Sequence, residues 1–121
     1  MIATMACDAL TIAIRYSAVR CQFGSSSNEE LPILEYQTQQ HRLFPYLAGS
    51  YILKFLGQTL FNHFISFLLN SFSQQDSEDG KKLLASMGAE LHALSCAAKA
   101  LASWFARDTI QECREGKRKH F

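Results

Sequence analysis

The stretch RCQFG at residues 20–24 combines residue types that can bind a ligand carrying a phosphate and a heterocycle. The guanidinium of Arg20 can donate two parallel hydrogen bonds to a phosphate. Gln22 offers an amide to a polar heterocycle, and the ring of Phe23 can pack flat against it. Gly24, however, is typical of an ordinary helix C-terminus. The residues alone therefore leave two interpretations open, a ligand-binding rim and a helix end beside a solvated loop.

A second polar stretch, LEYQTQQHRLFP at residues 34–45, begins a long apolar segment. Tyr36 and Gln37 there add hydrogen-bonding groups of the kind that contact heterocycles. The two polar stretches flank one loop, so we expect their side chains to converge at the same end of a helical bundle.

Residues for catalysis or metal binding form no recognisable motif. There is no G-x-S-x-G, no P-loop and no G-x-G-x-x-G. We predict no metal site and expect helix-surface or interfacial positions for the four separated histidines, His41, His63, His92 and His120. The four cysteines form no C-x-x-C pair, and we expect reduced thiols. Cys96 and Cys113 are expected to be small core residues.

Three long helices are predicted, over about residues 2–21, 33–72 and 80–115. The third has the clearest period, with apolar residues that step by three and four and predict one buried stripe: Leu84, Met87, Leu91, Leu94, Ala98, Leu101 and Phe105. The second is apolar on more than one face, so we expect neighbours to enclose it. Pro45 should kink or divide that helix. The fold class is therefore all-α, an up-down bundle of three long helices.

Composition limits the function classes. The chain has 121 residues, 48% of them hydrophobic, which suits one globular domain or a piece of one. A net charge of +1 gives no electrostatic reason to expect nucleic acid or anionic membrane as a partner. The segment that comes nearest to the length of a membrane span, LFNHFISFLL, contains the polar residues Asn62, His63 and Ser66. We therefore predict no membrane span. The first residues do not resemble a secretory signal, so a soluble chain is expected.

Three segments resemble the peroxisomal acyl-CoA oxidases. They are IRYSAVRCQFG, LPILEYQTQQHRLFPYLA and ELHALSCAAKALASWFARDTIQECRE, and they are most similar to the branched-chain (pristanoyl-CoA) type. The resemblance implies a peroxisomal flavoenzyme of fatty-acid β-oxidation, homodimeric when complete. Such an enzyme uses FAD to convert acyl-CoA and oxygen into trans-2-enoyl-CoA and hydrogen peroxide. This chain would then be an incomplete form of the four-helix-type bundle at the C-terminal end of acyl-CoA dehydrogenases and oxidases.

The resemblance also implies roles for particular residues. Arg20 would contact the FAD pyrophosphate, with Gln22 and Phe23 lining the same cofactor. Gln37 would lie near the adenine side of FAD, with Tyr36 and Ile33 beside it.

The sequence departs from the family pattern in several places. Cys21 and Ser25 stand where the family usually has arginine and proline. After IQECRE the family continues A-C-G-G-H-G-Y and later reaches a Y-E-G segment with the catalytic glutamate. Here residues 116–121 form a basic tail, so we expect a partial domain over 1–115, no catalytic residue and no activity of the chain alone. A non-catalytic helical association module, and an artefact of splicing or gene annotation, are the alternatives.

Overall fold

A computed structural model of the chain describes residues 2–22, 24, 30–73 and 77–116. These residues form three long helices, α1 (Ile2–Val19), α2 (Gln37–Ser73) and α3 (Glu78–Glu115), with a short 3-10 helix over Ile33–Glu35. The described residues contain no β-strand, only an isolated bridge between Cys21 and Pro32. The predicted all-α class with three long helices is confirmed.

The chain divides into two compact units. The first, here named the core unit, comprises Met1–Ile52 and Ala102–Phe121. The second, named the hairpin unit, comprises Leu53–Leu101.

The core unit brings all three helices together around a small apolar centre. Leu10 and Ala13 of α1, Leu43 of α2 and Cys113 of α3 are buried in one cluster, each at most 4% exposed. Arg42 of α2 contacts Glu112 of α3, and Tyr46, which comes later in α2, contacts Phe105, which comes earlier in α3. In the core unit these two helices therefore run antiparallel.

Polar side chains in the core unit are buried with their hydrogen bonds made. The hydroxyls of Ser17 and Thr109 donate to backbone carbonyls one turn earlier, at 2.8 and 2.7 Å. The Ser50 hydroxyl donates to the Leu47 carbonyl at 2.7 Å. These bonds avoid the desolvation cost of an unpaired buried hydroxyl.

The hairpin unit contains two antiparallel helical segments and buries little. Phe67 of α2 lies over Gly88 of α3, and the Asn70 side-chain amide donates to the Met87 sulfur at 3.7 Å. The enclosure predicted for α2 is not observed here, because several of its large apolar side chains are exposed: Phe55, Phe61, Phe64, Ile65, Leu69 and Phe72. The predicted stripe of α3 is only partly buried, since Leu94 and Leu101 are 40% and 59% exposed.

The observed ends of α1 and α3 differ from the predicted ones because of local hydrogen bonds. Helix α3 begins earlier than expected because Ser77 caps it, accepting a bond from the Gly80 N–H at 3.5 Å. Glu78 and Asp79 in its first turn suit the positive end of the helix dipole. Helix α1 ends at Val19, since the next residues adopt the extended pairing described below.

Helix α2 is continuous through Pro45, so the predicted division at this residue does not occur. Contacts on both sides of the proline explain the continuity. Arg42 in the preceding turn pairs with Glu112, and the Tyr46 ring lies 5.7 Å from that of Phe105. Pro45 itself is exposed, which lets water reach the backbone around the missing hydrogen bond.

Helix α2 is also long and apolar enough to cross a bilayer, judged by length and composition. Only 6% of the residues in its most apolar window are buried in this structure. The central helix of a helical bundle can have the same composition.

Candidate functional site

A short extended pairing positions the residues of the first polar stretch. The Gln22 N–H donates to the Leu31 carbonyl at 3.0 Å, and the Ile33 N–H donates to the Arg20 carbonyl at 2.8 Å. The pairing joins the end of α1 to the 3-10 helix. It therefore fixes the backbone of Arg20 beside that of Ile33, and the backbone of Gln22 beside that of Leu31.

The Arg20 side chain is held by two neighbours. Its guanidinium carbon lies 5.4 Å from the centre of the Tyr16 ring, a cation–π distance, and Nη1 donates to the Tyr16 hydroxyl. Nη2 donates to the Gln22 side-chain oxygen at 3.2 Å. Arg20 is half-buried, and these contacts restrict the rotamers that its long side chain would otherwise sample.

The second polar stretch packs onto the first through Tyr36. Its hydroxyl donates to the Gln22 carbonyl at 2.8 Å. The Gln40 side-chain amide donates to the Leu34 carbonyl at 2.9 Å, which ties the 3-10 helix to the first turns of α2. The expected convergence of the two stretches is therefore observed.

The structure brings four of the six predicted site residues together: Arg20, Gln22, Ile33 and Tyr36. Gln37 is exposed and is the first residue of α2. Phe23 lies outside the described residues. The cofactor contacts assigned to all six remain predictions.

Sequence reasoning missed two residues that support this cluster. Tyr16 stands one helical turn before Arg20, and that spacing was the available signal. Gln39 donates to the Ser17 hydroxyl at 3.0 Å and to the Gly116 carbonyl at 3.4 Å. One amide thus joins α1, α2 and the residue that follows α3.

An ion-pair network lies on α2 and α3 within the core unit. Arg42 Nε donates to Glu112 at 2.8 Å, and its Nη2 donates to Glu115 at 3.2 Å. Burial raises the pKa of Tyr46 above the ordinary value of 10.0, and the carboxylates of Glu112 and Asp108 raise it further, against the opposing charge of Arg42. Tyr46 is therefore a neutral phenol at physiological pH.

The cysteines differ from the expectation in one respect. Cys113 is buried in the core as predicted, whereas Cys96 is exposed. Neither forms a disulfide. No group of three or more potential metal ligands comes together among the residues that the structure describes.

Comparison with known proteins gives consistent matches. A family profile described as "Acyl-CoA oxidase, C-alpha1 domain" matches residues 1–116. Human peroxisomal acyl-coenzyme A oxidase 3 is 46% identical over 107 residues, which are 88% of this chain and 15% of that protein. An acyl-coenzyme A oxidase of Caenorhabditis elegans is 38% identical over 114 residues, which are 92% of this chain and 16% of that protein.

Among solved structures, acyl-CoA oxidase-1 of Caenorhabditis elegans, crystallised with FAD and ATP, superimposes with a TM-score of 0.78 at 36% identity. The match covers 95% of this chain and 16% of that one. The three helices and the matched residues define a helical-bundle domain of the kind found at the C-terminal end of these enzymes. The chain belongs to the acyl-CoA oxidase family, and it spans about one sixth of the length of the relatives that it matches.

Proposed function

We propose that this chain is part of a FAD-dependent acyl-CoA oxidase and that Arg20 binds the diphosphate of FAD. The observation that carries the proposal is the Arg20 guanidinium, held between the Tyr16 ring and the Gln22 side chain. A guanidinium that is already oriented loses less conformational freedom when it binds an anion. The FAD and ATP bound to the nematode relative support a phosphate-bearing ligand in this family.

The neighbouring residues have groups that suit the rest of such a cofactor. Gln22 and Gln37 carry amides and Tyr36 carries a phenol, all of which can hydrogen-bond to a heterocycle. Ile33 offers apolar surface, and we propose that Phe23 packs against the cofactor. In this arrangement the residues of the chain bind and orient FAD, and FAD supplies the capacity to accept electrons from the substrate.

We infer that the complete protein removes hydrogens from the α and β carbons of an acyl-CoA, with oxygen as the final electron acceptor. The products would be trans-2-enoyl-CoA and hydrogen peroxide. We propose that residues 1–121 alone are inactive, because no segment of this chain matches the Y-E-G pattern that carries the family's catalytic glutamate. Peroxide production from acyl-CoA above a heat-treated control would contradict this.

A chimera tests the role of Arg20. The 107 matched residues of the human relative would be replaced by those of this chain, and bound flavin would be measured per subunit. Arg20→Ala should weaken flavin binding about tenfold or more and so lower the flavin retained per subunit, since one charged hydrogen-bonding group contributes about 1.5–3 kcal/mol. Arg15→Ala, which removes an exposed arginine of α1, the helix that Arg20 follows, is the matched control and should leave flavin binding unchanged. Equal flavin in the Arg20→Ala and parent chimeras would overturn the assignment.

Location and partners follow from the same proposal. The human relative is named as peroxisomal, and we propose the peroxisome for the complete protein. We also propose that the complete protein is a homodimer, with neither nucleic acid nor membrane as a partner. On this account α2 is a helix of the bundle rather than a membrane span.

A second candidate function is helical association without catalysis. The observation that favours it is the set of exposed apolar side chains in the hairpin unit, with Phe55 70% and Phe72 81% exposed. Exposed apolar surface of this kind drives association. Sedimentation of the isolated chain separates the cases, since a monomer at every concentration tested would count against this second function.

A further inference from the structure

A histidine and a cysteine on α3 form a pair that the proposed oxidase function does not use. His92 and Cys96 stand four residues apart, one helical turn, and both are exposed. The Cys96 sulfur lies 3.7 Å from His92 Nε2.

The separation of the two atoms fits a shared metal ion. Zinc in a tetrahedral site lies about 2.3 Å from a cysteine sulfur and about 2.0–2.1 Å from a histidine nitrogen. Those bond lengths, at a tetrahedral angle, place the sulfur and nitrogen about 3.5 Å apart. The observed separation of 3.7 Å is about 0.2 Å longer than this value, so one ion can bond to both atoms after a small adjustment of the side chains.

We propose that His92 and Cys96 form a two-residue binding site for a divalent cation of the zinc class. Thiolate sulfur and imidazole nitrogen together favour zinc over magnesium or calcium, which prefer oxygen ligands. Binding forms one metal–sulfur and one metal–nitrogen bond, displaces four of the six water molecules of the hydrated ion as it becomes four-coordinate, and releases the thiol proton to solvent. Water fills the two remaining positions, since the described residues provide no third ligand nearby.

An ion bound at both residues links two successive turns of α3 and should stabilise the helix there. This inference is independent of the flavin proposal, because neither residue belongs to the Arg20 cluster.

Titration of residues 1–121 with Cd²⁺ tests the proposal, with the ultraviolet sulfur-to-cadmium charge-transfer band as the readout and Zn²⁺ as the competitor. We expect one ion per chain, displaced by Zn²⁺. Cys96→Ser should remove this band, and His92→Ala should weaken binding about tenfold or more. Zn²⁺ should also raise the melting temperature of the unmodified chain but not that of His92→Ala.

Cys21→Ser is the matched control. Cys21 is also exposed, but serines occupy the positions four residues before and after it, so it lacks a histidine one turn away. Its replacement should leave cadmium affinity unchanged. His92→Ala binding Cd²⁺ as tightly as the unmodified chain, or loss of the band in Cys21→Ser, would overturn the proposal. Because both residues of the pair are exposed on a helix, the variants should retain the far-ultraviolet circular dichroism of the parent.

Discussion

Three helices meet in the core unit, whereas the hairpin unit has two helical segments, and the two units bury their apolar side chains to very different extents. The core unit contains the four-residue buried cluster around Leu10 and Leu43. Among the described apolar side chains of the hairpin unit, only that of Leu53 is buried, at 8% exposure. Two antiparallel segments cover only one side of each other, so a third helix is what creates an interior.

The same contrast holds for hydrogen bonds and for the candidate site. In the core unit, Gln39 joins α1 and α2 to Gly116, the residue after α3, and Arg42 of α2 bonds to two carboxylates of α3. The Arg20 cluster also lies in this unit. The candidate cofactor residues are therefore carried by the part of the chain that packs most completely, as precise positioning of a ligand requires.

Truncation of a buried leucine should give the largest difference between the units. Leu43→Ala removes a fully buried side chain from the core unit and should lower the free energy of unfolding by about 2–5 kcal/mol. Leu69→Ala is the matched change in the hairpin unit, where this side chain is 64% exposed, and should cost less than about 0.5 kcal/mol. Denaturant unfolding followed by circular dichroism measures both. Similar losses for the two variants would mean that the hairpin unit has an interior of its own.

Helix number and class were predictable because the signals that identify the helices are local: the apolar period of α3, and the apolar composition of α2 between two polar loops. The helix boundaries were harder to predict, because the Ser77 cap and the pairing of residues 20–22 with 31–33 depend on individual hydrogen bonds. The continuity of α2 through Pro45 depends on contacts with α3, which local propensity does not contain.

Within the candidate site, residue types identified Arg20 and Tyr36, and the contact of Tyr16 with Arg20 follows from a local spacing of one helical turn. The side-chain contacts of Gln39 could not be predicted in this way. Gln39 contacts residues 22 and 77 positions away in sequence, and no local pattern encodes such contacts. The exposure of Cys96 was not predicted, because the sequence of an alanine-rich helix does not show which of its faces other helices cover.

Two glycines of α2 allow a sharper comparison of packing. A methyl group at Gly49 would overlap the Phe105 ring, whereas at Gly57 it would meet open space. Gly49→Ala should therefore destabilise the chain by about 1–3 kcal/mol. Gly57→Ala should stabilise it by about 0.5–1 kcal/mol, because alanine favours the helix over glycine. Thermal unfolding of the pair would contradict the account if both substitutions shifted stability in the same direction.

Ion pairs should show a smaller difference. Arg42→Met removes bonds to two partly buried carboxylates in the core unit and should cost about 1 kcal/mol. Lys81→Met removes an exposed pair with Glu78 in the hairpin unit and should change stability by less than about 0.5 kcal/mol. The unfolding free energy of Arg42→Met relative to the parent should be compared at low and high salt. If the loss of unfolding free energy in Arg42→Met disappeared entirely at high salt, this network would contribute no more than an ordinary surface ion pair.

The smallest effect concerns pH. Because the folded-state pKa of Tyr46 is raised above 10.0, the folded chain keeps this phenol proton where the unfolded chain begins to lose it. The stabilisation is fully present below pH 10 and is lost as the pH rises through the folded-state pKa. Tyr46→Phe should remove this part of the alkaline decline in stability. Tyr51→Phe, at a 58% exposed ring, controls for the loss of one tyrosine absorbance in the titration.

Residue-resolved amide hydrogen exchange on the isolated chain tests the contrast between the units most directly. We predict slow exchange for α1 and for the segments 37–52 and 102–115, and much faster exchange for the helical residues of 53–101. The Ile33 amide, which donates to the Arg20 carbonyl, should be among the protected ones. Protection in 53–101 equal to that in the core unit would contradict the account, and so would an unprotected Ile33 amide, because the Arg20 cluster would then lack its rigid support.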